Sequence, residues 1–281
     1  MDKQILNIID QALQEDMPNG DVTSEALFSD EQGHAVLIAK AEGILSGLDI
    51  FTAVMRRVDE NTIITPVVQN GTRIKTGTVL AQVQGNIQAI LKAERTALNI
   101  LQRMSGIATM TKTYVEKTRG TRCMIMDTRK TAPNLRILDK RAVKDGGGVN
   151  HRMSLSDMVL IKDNHIHAAG IIEKAVQTAR AHVGFDMPIE IEVETFAQFI
   201  AACETDVERI MLDNMTLTTM RECVENNKKK KLLEASGNMK LENIAAVAAT
   251  GVDAISVGAL THSVQAFDIS LKFKKVGESH G

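Results

Sequence analysis

Apolar positions along this chain change their spacing twice, and each change marks a different kind of structure. In the first sixteen residues Ile5, Leu6, Ile8, Ile9 and Leu13 recur at helical intervals, which predicts an amphipathic helix. Short strand signals follow at residues 34–41, 63–68 and 78–84, with a helical stretch at 51–58. Residues 69–77 set Asn-Gly and Thr-Gly turns around a short strand, a hairpin signal. Together these predict an α+β module, with helices against a small and largely antiparallel sheet. From Ile87 to about Lys117 the period becomes that of one long helix, with Ile90, Leu91, Ala97, Leu98, Leu101 and Met104 along it.

Beyond Arg122 short apolar runs alternate with helical stretches. Strands are predicted at 123–127, 158–162, 189–194, 209–213, 232–236 and 254–258, and helices at 168–182, 197–203, 217–226 and 241–249. Such alternation implies βαβ units and a parallel sheet. Six strand signals suit either a barrel with fewer than eight repeats or a doubly wound sheet. A barrel is favoured, because the apolar runs end in Asp127, Lys162, Glu194, Asp213, Ser236 and Gly258. A ring of strand ends would gather all of these at one mouth. The closing residues 267–276, apolar and basic, suit a return to the first module.

Composition narrows the partners. Trp is absent and there is one Tyr, so nucleic-acid binding by base stacking is not supported. The formal net charge of −2 argues against a broad basic surface, and no apolar stretch is long enough to span a bilayer. Cys123, Cys203 and Cys223 lack CxxC spacing and read as buried thiols of a cytoplasmic protein. Positive charge is instead local. Between Asp127 and His165 the chain carries eight Lys or Arg and two His against five Asp. Cations where buried strands end predict a pocket for a polyanion.

Individual motifs refine that pocket. Glu190, Glu192 and Glu194 share one face of a strand by period-2 alternation, and Asp213 follows the apolar Ile210-Met211-Leu212. Carboxylates at adjacent strand ends either hold Mg²⁺ that grips phosphates or form salt bridges to Lys162 or Arg129. Ser236-Gly237 and Gly258-Ala259 both lie in turns after strands, where backbone N–H groups can bind phosphate. Gly146-Gly147-Gly148 reads equally as a mobile loop over a site or a plain connector, with His151-Arg152 after it as a donor pair. His165-Ile166-His167 suggests a metallohydrolase, but later strand ends carry no His, so a helix cap is preferred. Lys228 to Lys231 reads as a solvated loop.

Glu94-Arg95-Thr96-Ala97-Leu98-Asn99, Ser105-Gly106-Ile107-Ala108-Thr109, Asp127-Thr128-Arg129-Lys130-Thr131, Gly146 through Arg152, Ile161 through His165, Glu192-Val193-Glu194, Leu212-Asp213-Asn214, Glu234 through Gly237 and Ser256 through Ala259 together resemble the quinolinate phosphoribosyltransferase family. Gly20 through Ser24 extends the likeness towards the start. Asn134 and Asn238 depart from it, standing where the family often has Gly.

The resemblance implies an N-terminal α/β sandwich domain over residues 1–110, rejoined by about 264–281. It further implies an incomplete TIM-like α/β barrel of about seven strands over 111–263. One strand is then missing from the reading above, and residues 104–114 or those beyond Thr261 are the places for it. The implied reaction transfers phosphoribosyl from phosphoribosyl pyrophosphate to quinolinate with decarboxylation. Arg129, His151, Arg152 and Lys162 would line the quinolinate pocket, with Lys130 beside them. Glu194 and Asp213 would face the ribose hydroxyls and Mg²⁺, and Ser236, Gly237, Gly258 and Ala259 would hold the 5-phosphate. Lys130, Lys162, Glu194 and Asp213 would carry the catalysis. Arg95 would act in the partner subunit's site of a homodimer.

Overall fold

A computed structural model describes residues 1–274, so the last two residues of the predicted returning segment lie outside the described residues. In chain order the elements begin with α1 (Lys3–Asp16), α2 (Val22–Leu27), β1 (Gln32–Ala39), β2 (Gly43–Ile44), α3 (Leu48–Val58), β3 (Ile63–Pro66), β4 (Arg73–Ile74), β5 (Val79–Asn86) and α4 (Ile87–Lys117). They continue with β6 (Met124–Met126), α5 (Arg136–Asp145), β7 (Val159–Ile161), α6 (Asp163–Ala169), α7 (Ile172–Val183), β8 (Ile189–Val193), α8 (Phe196–Cys203) and β9 (Arg209–Asp213). The chain closes with α9 (Leu217–Asn226), β10 (Leu232–Ser236), α10 (Ile244–Ala248), β11 (Ala254–Ser256), α11 (Ala259–His262) and β12 (Ile269–Phe273). They form two compact units.

The first unit comprises residues 1–110, 132–147 and the chain from Ser263. Its sheet runs in the order β12-β1-β5-β3 with antiparallel pairing throughout, and β2 pairs with β4 beside it. Helix α1 buries Ile5, Ile8, Ile9 and Leu13, while Asp2 caps it by accepting the Gln4 N–H at 2.7 Å. Periodicity does not reveal α2, which starts because the Asp21 carboxylate accepts the N–H groups of Thr23 and Ser24. The returning segment passes close over α4. A Cβ on Gly106 would lie 2.1 Å from the Gln265 carbonyl oxygen, so only glycine fits there.

Helix α5 was not foreseen, and the sequence reading placed residues 132–147 in the second domain. The structure groups them with the first unit. Buried Asp139 takes both Arg103 donors at 2.8 Å, Arg141 pairs with Asp49 at 2.8 Å, and Asp145 accepts the Ser46 hydroxyl at 2.6 Å. These polar anchors outweigh a weakly apolar helix face. Gly146 caps α5 and Gly147 (φ +89°) accommodates the left-handed turn after it, so the first glycines of the triple end a helix.

The second unit comprises residues 111–131 and 148–262. Its sheet is wholly parallel, in the order β6-β11-β10-β9-β8-β7. Ile189, Ile191, Val193, Ile210, Leu212, Leu233, Ala235 and Ile255 are buried in it, as expected where helices cover a parallel sheet. Among the described residues the sheet does not close, since β6 and β7 are its two edges. The seventh position shrinks to a single parallel bridge between Val149 and Met126. Beyond Val149 the ladder stops, because the Asp127 carboxylate takes the His151 N–H at 3.0 Å and turns the chain away. Among the described residues neither suggested location holds the missing strand: residues 104–114 lie inside α4, and β12 pairs antiparallel with β1. The predicted helix at 168–182 is two helices, α6 and α7, broken at Gly170 (φ +97°).

Candidate active site

Registry in the second unit aligns the strand ends. Asp213 pairs with Ser236 and Leu212 with Val193, so Glu194, Asp213 and Ser236 finish their strands side by side. Ile161 pairs with Ile191, which sets Lys162 level with Glu192. Their side chains meet, Nζ to Oε2 at 2.8 Å. Glu192, placed by alternation on the Glu190–Glu194 face, has no expected site role, yet it is the partner that Lys162 meets. Glu192 and Glu194 line a cavity of about 470 Å³ with Asp163, Asn164, Ile166, His167, Gly170 and Gln198. His165 caps α6 as expected, its Nδ1 accepting the Lys162 N–H at 2.9 Å.

A second cation group follows β6. Arg129 and Arg152 are half-buried and close enough to act on each other. Burial and then the Arg129 charge hold the Arg152 guanidinium below its ordinary value. Arg152 Nη1 donates to the Met158 carbonyl at 2.9 Å, which fixes the side chain. Two cations pressed together in a half-buried place favour a ligand with two negative charges. Lys130 is exposed, and its side chain lies along the Gly258 turn: a Cβ on Gly258 would come within 3.2 Å of Lys130 Cδ. The Lys130 carbonyl accepts the Thr261 hydroxyl at 2.9 Å, tying the end of β6 to α11.

The Ser236-Gly237 turn is shaped by close approach. Gly237 has φ +86°, and a Cβ there would sit 2.3 Å from Asn214 Oδ1 and 2.8 Å from Asn214 N. Asn238 Nδ2 donates to Asn214 Oδ1 at 3.0 Å. Both departures from the family pattern now have a physical reason. Asn134 (φ 64°) and Asn238 (φ 51°) occupy left-handed conformations, which Asn tolerates better than other side chains and Gly adopts freely. Helices α10 and α11 have five and four residues, so phosphate affinity in these turns would rest on backbone N–H groups rather than on a helix dipole.

Beneath the strand ends lies a buried polar cluster that the sequence reading did not assemble. His151 Nε2 is 2.9 Å from Glu190 Oε2 and 3.6 Å from Glu234 Oε2, and Arg209 Nη1 is 3.2 Å from Glu234 Oε2. Burial pushes both carboxyls up to about 7. Among the described residues only His151, Glu190 and Glu234 form a group of three with metal-ligand spacing. The Arg209 charge offsets one of this cluster's two carboxylates. For Mg²⁺ the strand-end chemistry fits better: Glu194 is exposed on a cavity that also presents Asp163, Asn164 and Gln198, a set of hard oxygen donors. Asp213, one strand over, accepts from Asn214 Nδ2 at 2.6 Å.

Other expectations land differently. Asp127, taken as a strand-end candidate, is fully buried and serves the Val149–His151 turn. Arg95 is exposed on α4 in the first unit. Lys231 is not simply solvated, since its Nζ donates to the Thr205 and Val207 carbonyls at 2.9 and 2.8 Å. The three cysteines are free and buried, with Cys123 and Cys223 pushed up to about 12 by burial.

Known proteins share this architecture. Residues 21–105 match the quinolinate phosphoribosyl transferase N-terminal domain and residues 107–272 the C-terminal domain of the same family. A Bacillus subtilis protein named probable nicotinate-nucleotide pyrophosphorylase (carboxylating) is 40% identical, over 98% of this chain and 96% of its own. A Mycobacterium leprae nicotinate-nucleotide pyrophosphorylase (carboxylating) is 41% identical, over 94% and 95% respectively. A crystal structure of NadC from Streptococcus pyogenes superposes with a TM-score of 0.93 at 38% identity, covering 97% of this chain and 98% of the other. With two matched domains in order and relatives aligned over nearly their whole length, this chain belongs to the quinolinate phosphoribosyltransferase family.

Proposed function

We propose that this protein transfers phosphoribosyl from phosphoribosyl pyrophosphate to quinolinate, releasing pyrophosphate and CO₂ and leaving nicotinate mononucleotide for de novo NAD biosynthesis. The observation that carries the substrate choice is the half-buried Arg129–Arg152 pair, whose mutual repulsion is relieved by a dicarboxylate. Family membership carries the reaction.

The quinolinate ring nitrogen attacks the anomeric carbon as the bond to pyrophosphate breaks, and the electron pair leaves with pyrophosphate. No side chain needs to act as nucleophile. Arg129, Arg152, Lys162 and Lys130 would hold the ring's carboxylates and align the nitrogen, with His151 behind Arg152, so much of the acceleration is positioning. Glu194 and Asp213 would face the ribose, where positive charge grows, and would hold Mg²⁺, which neutralises the pyrophosphate charge. Ser236, Gly237, Gly258 and Ala259 would seat the 5-phosphate. The pyridinium then draws electrons from the breaking C–CO₂ bond, and the ring carbon takes a proton.

The working unit would be a homodimer in which Arg95 reaches the partner subunit's site. Its setting would be the cytoplasm, which the three free thiols favour. Among the described residues no helix is long and apolar enough to cross a membrane. The decisive assay supplies Mg²⁺, phosphoribosyl pyrophosphate and either quinolinate or nicotinate, and follows nucleotide and CO₂ together. Nucleotide with CO₂ from quinolinate alone supports the proposal, and turnover of nicotinate alone overturns the substrate assignment.

A further inference from the structure

The His151 imidazole, assigned above to the quinolinate pocket, does not offer a ring N–H outward. Its Nδ1 accepts the Arg152 main-chain N–H at 2.7 Å, so that nitrogen carries a lone pair and not a proton. The remaining nitrogen, Nε2, lies inward, 2.9 Å from Glu190 Oε2 but out of hydrogen-bond alignment with it. The ring is therefore neutral, with its proton on Nε2.

That tautomer has a consequence for the two carboxyls behind it. Glu190 and Glu234 are wholly buried and close enough for one to hydrogen-bond the other. Among the described residues no other donor reaches Glu190 Oε1 or Glu234 Oε1. The charged and polar groups around them are few: Arg209 from β9, Arg152 from the loop after Val149, Ser256 from β11 and Glu192 on β8 itself. Asp127, at the end of β6, is occupied by the His151 N–H. With His151 held neutral, the charge of Arg209 balances one carboxylate, while Arg152 is turned to the Met158 carbonyl. Two buried carboxylates side by side do not both stay ionised. One proton must reside on the pair.

We propose that Glu190 and Glu234 share a single proton and act through His151 as positioning residues for Arg152. The pair holds the ring through the 2.9 Å approach of Nε2 to Glu190 Oε2, and the ring fixes the Arg152 main chain through Nδ1. Loss of the shared proton adds a negative charge directly behind the pocket and weakens the hold on a dianion. This role rests on the quinolinate reading for its functional effect, but the proton and the tautomer can be tested without substrate.

The first experiment is ¹⁵N NMR of the histidine-labelled protein without substrates, with infrared detection of protonated carboxyl. The expected result is a neutral His151 with Nε2–H near neutral pH, and a protonated-carboxyl band that disappears in Glu190→Gln/Glu234→Gln. A His151 carrying a proton on Nδ1, or no protonated carboxyl, overturns the proposal. The second is steady-state kinetics of Glu234→Gln, a permanent mimic of the protonated partner. Wild type should lose quinolinate affinity by about tenfold as pH rises through the pair's titration, and Glu234→Gln should not. The KM for phosphoribosyl pyrophosphate should follow the same pH course in both proteins. An unchanged alkaline limb in the variant also overturns it. Wild type inactive with quinolinate would instead sink the substrate assignment, and the spectroscopy would still decide the proton.

Discussion

Replacing Lys162 by alanine separates chemistry from folding, because its surroundings set two very different costs. Nζ pairs with Glu192 at 2.8 Å, but the lysine side chain is 48% exposed, so the pair itself contributes about 0–1 kcal/mol. Glu192 is only 12% exposed, and stranding it adds a desolvation penalty of about 1 kcal/mol, the low end for a group that still meets the cavity water. A loss of about 1–2 kcal/mol lowers Tm by roughly 2–8 °C in a protein of this class. Turnover should suffer far more. Removing one preorganised charge from a transition state costs about 10²–10³ in rate. Initial rates of nicotinate mononucleotide and CO₂ formation at saturating phosphoribosyl pyrophosphate measure the second effect, and thermal melting measures the first. Glu192→Gln, which leaves the lysine charge in place, is the control. Turnover of Lys162→Ala within about tenfold of wild type, a barrier change of about 1.4 kcal/mol, would refute the assignment of Lys162 to the chemistry.

Three further outcomes are expected. Gly237→Ala forces a side chain into φ +86° against Asn214, at a cost of at least about 1–2 kcal/mol; the KM for phosphoribosyl pyrophosphate should rise while that for quinolinate holds, and an unchanged value would remove the turn from the phosphate site. Asn238→Gly, at φ 51°, should leave that KM unchanged and Tm within a few degrees; a large loss would give the Asn238–Asn214 bond a role of its own. Stability should fall as pH rises from the ordinary carboxyl value of 4.5 to about 7, because the folded protein holds a proton there that the unfolded chain has released. The fall is of the order of 3 kcal/mol, is complete above the folded value, and should shrink in Glu234→Gln; equal pH slopes in the two melting series would contradict it.

The most legible parts of the sequence were those where burial on both faces leaves no ambiguity. The strands β9 and β10 match the predicted bounds residue for residue, since short runs that are apolar but for Glu234 end at Asp213 and Ser236; helix α9 matches as well, starting at its Thr216 cap. The row of strand-end candidates followed from the same logic, and registry places Glu194, Asp213 and Ser236 side by side. Helices held by polar anchors escaped the reading: α2 depends on the Asp21 cap, and α5 on Arg103–Asp139 and Arg141–Asp49. The incomplete barrel was expected, but not that its seventh strand is a single bridge from Val149 to Met126, beyond which the Asp127 carboxylate takes the His151 main-chain N–H. The inward aim of His151 was unreadable for a different reason. It depends on which ring nitrogen the next residue's N–H reaches, and spacing carries no information about that.

The pairing of β1 with β12 makes the first unit the last to finish. During synthesis β1 emerges early and can pair with β5 at once, yet its other edge waits for residues made more than two hundred positions later. Until then that edge presents unpaired N–H and C=O groups to any neighbouring strand, the usual seed of aggregation. A nascent chain stalled before Ser263 would thus be sticky at its beginning, and shortening the gene from its 3′ end would damage the portion encoded at its 5′ end.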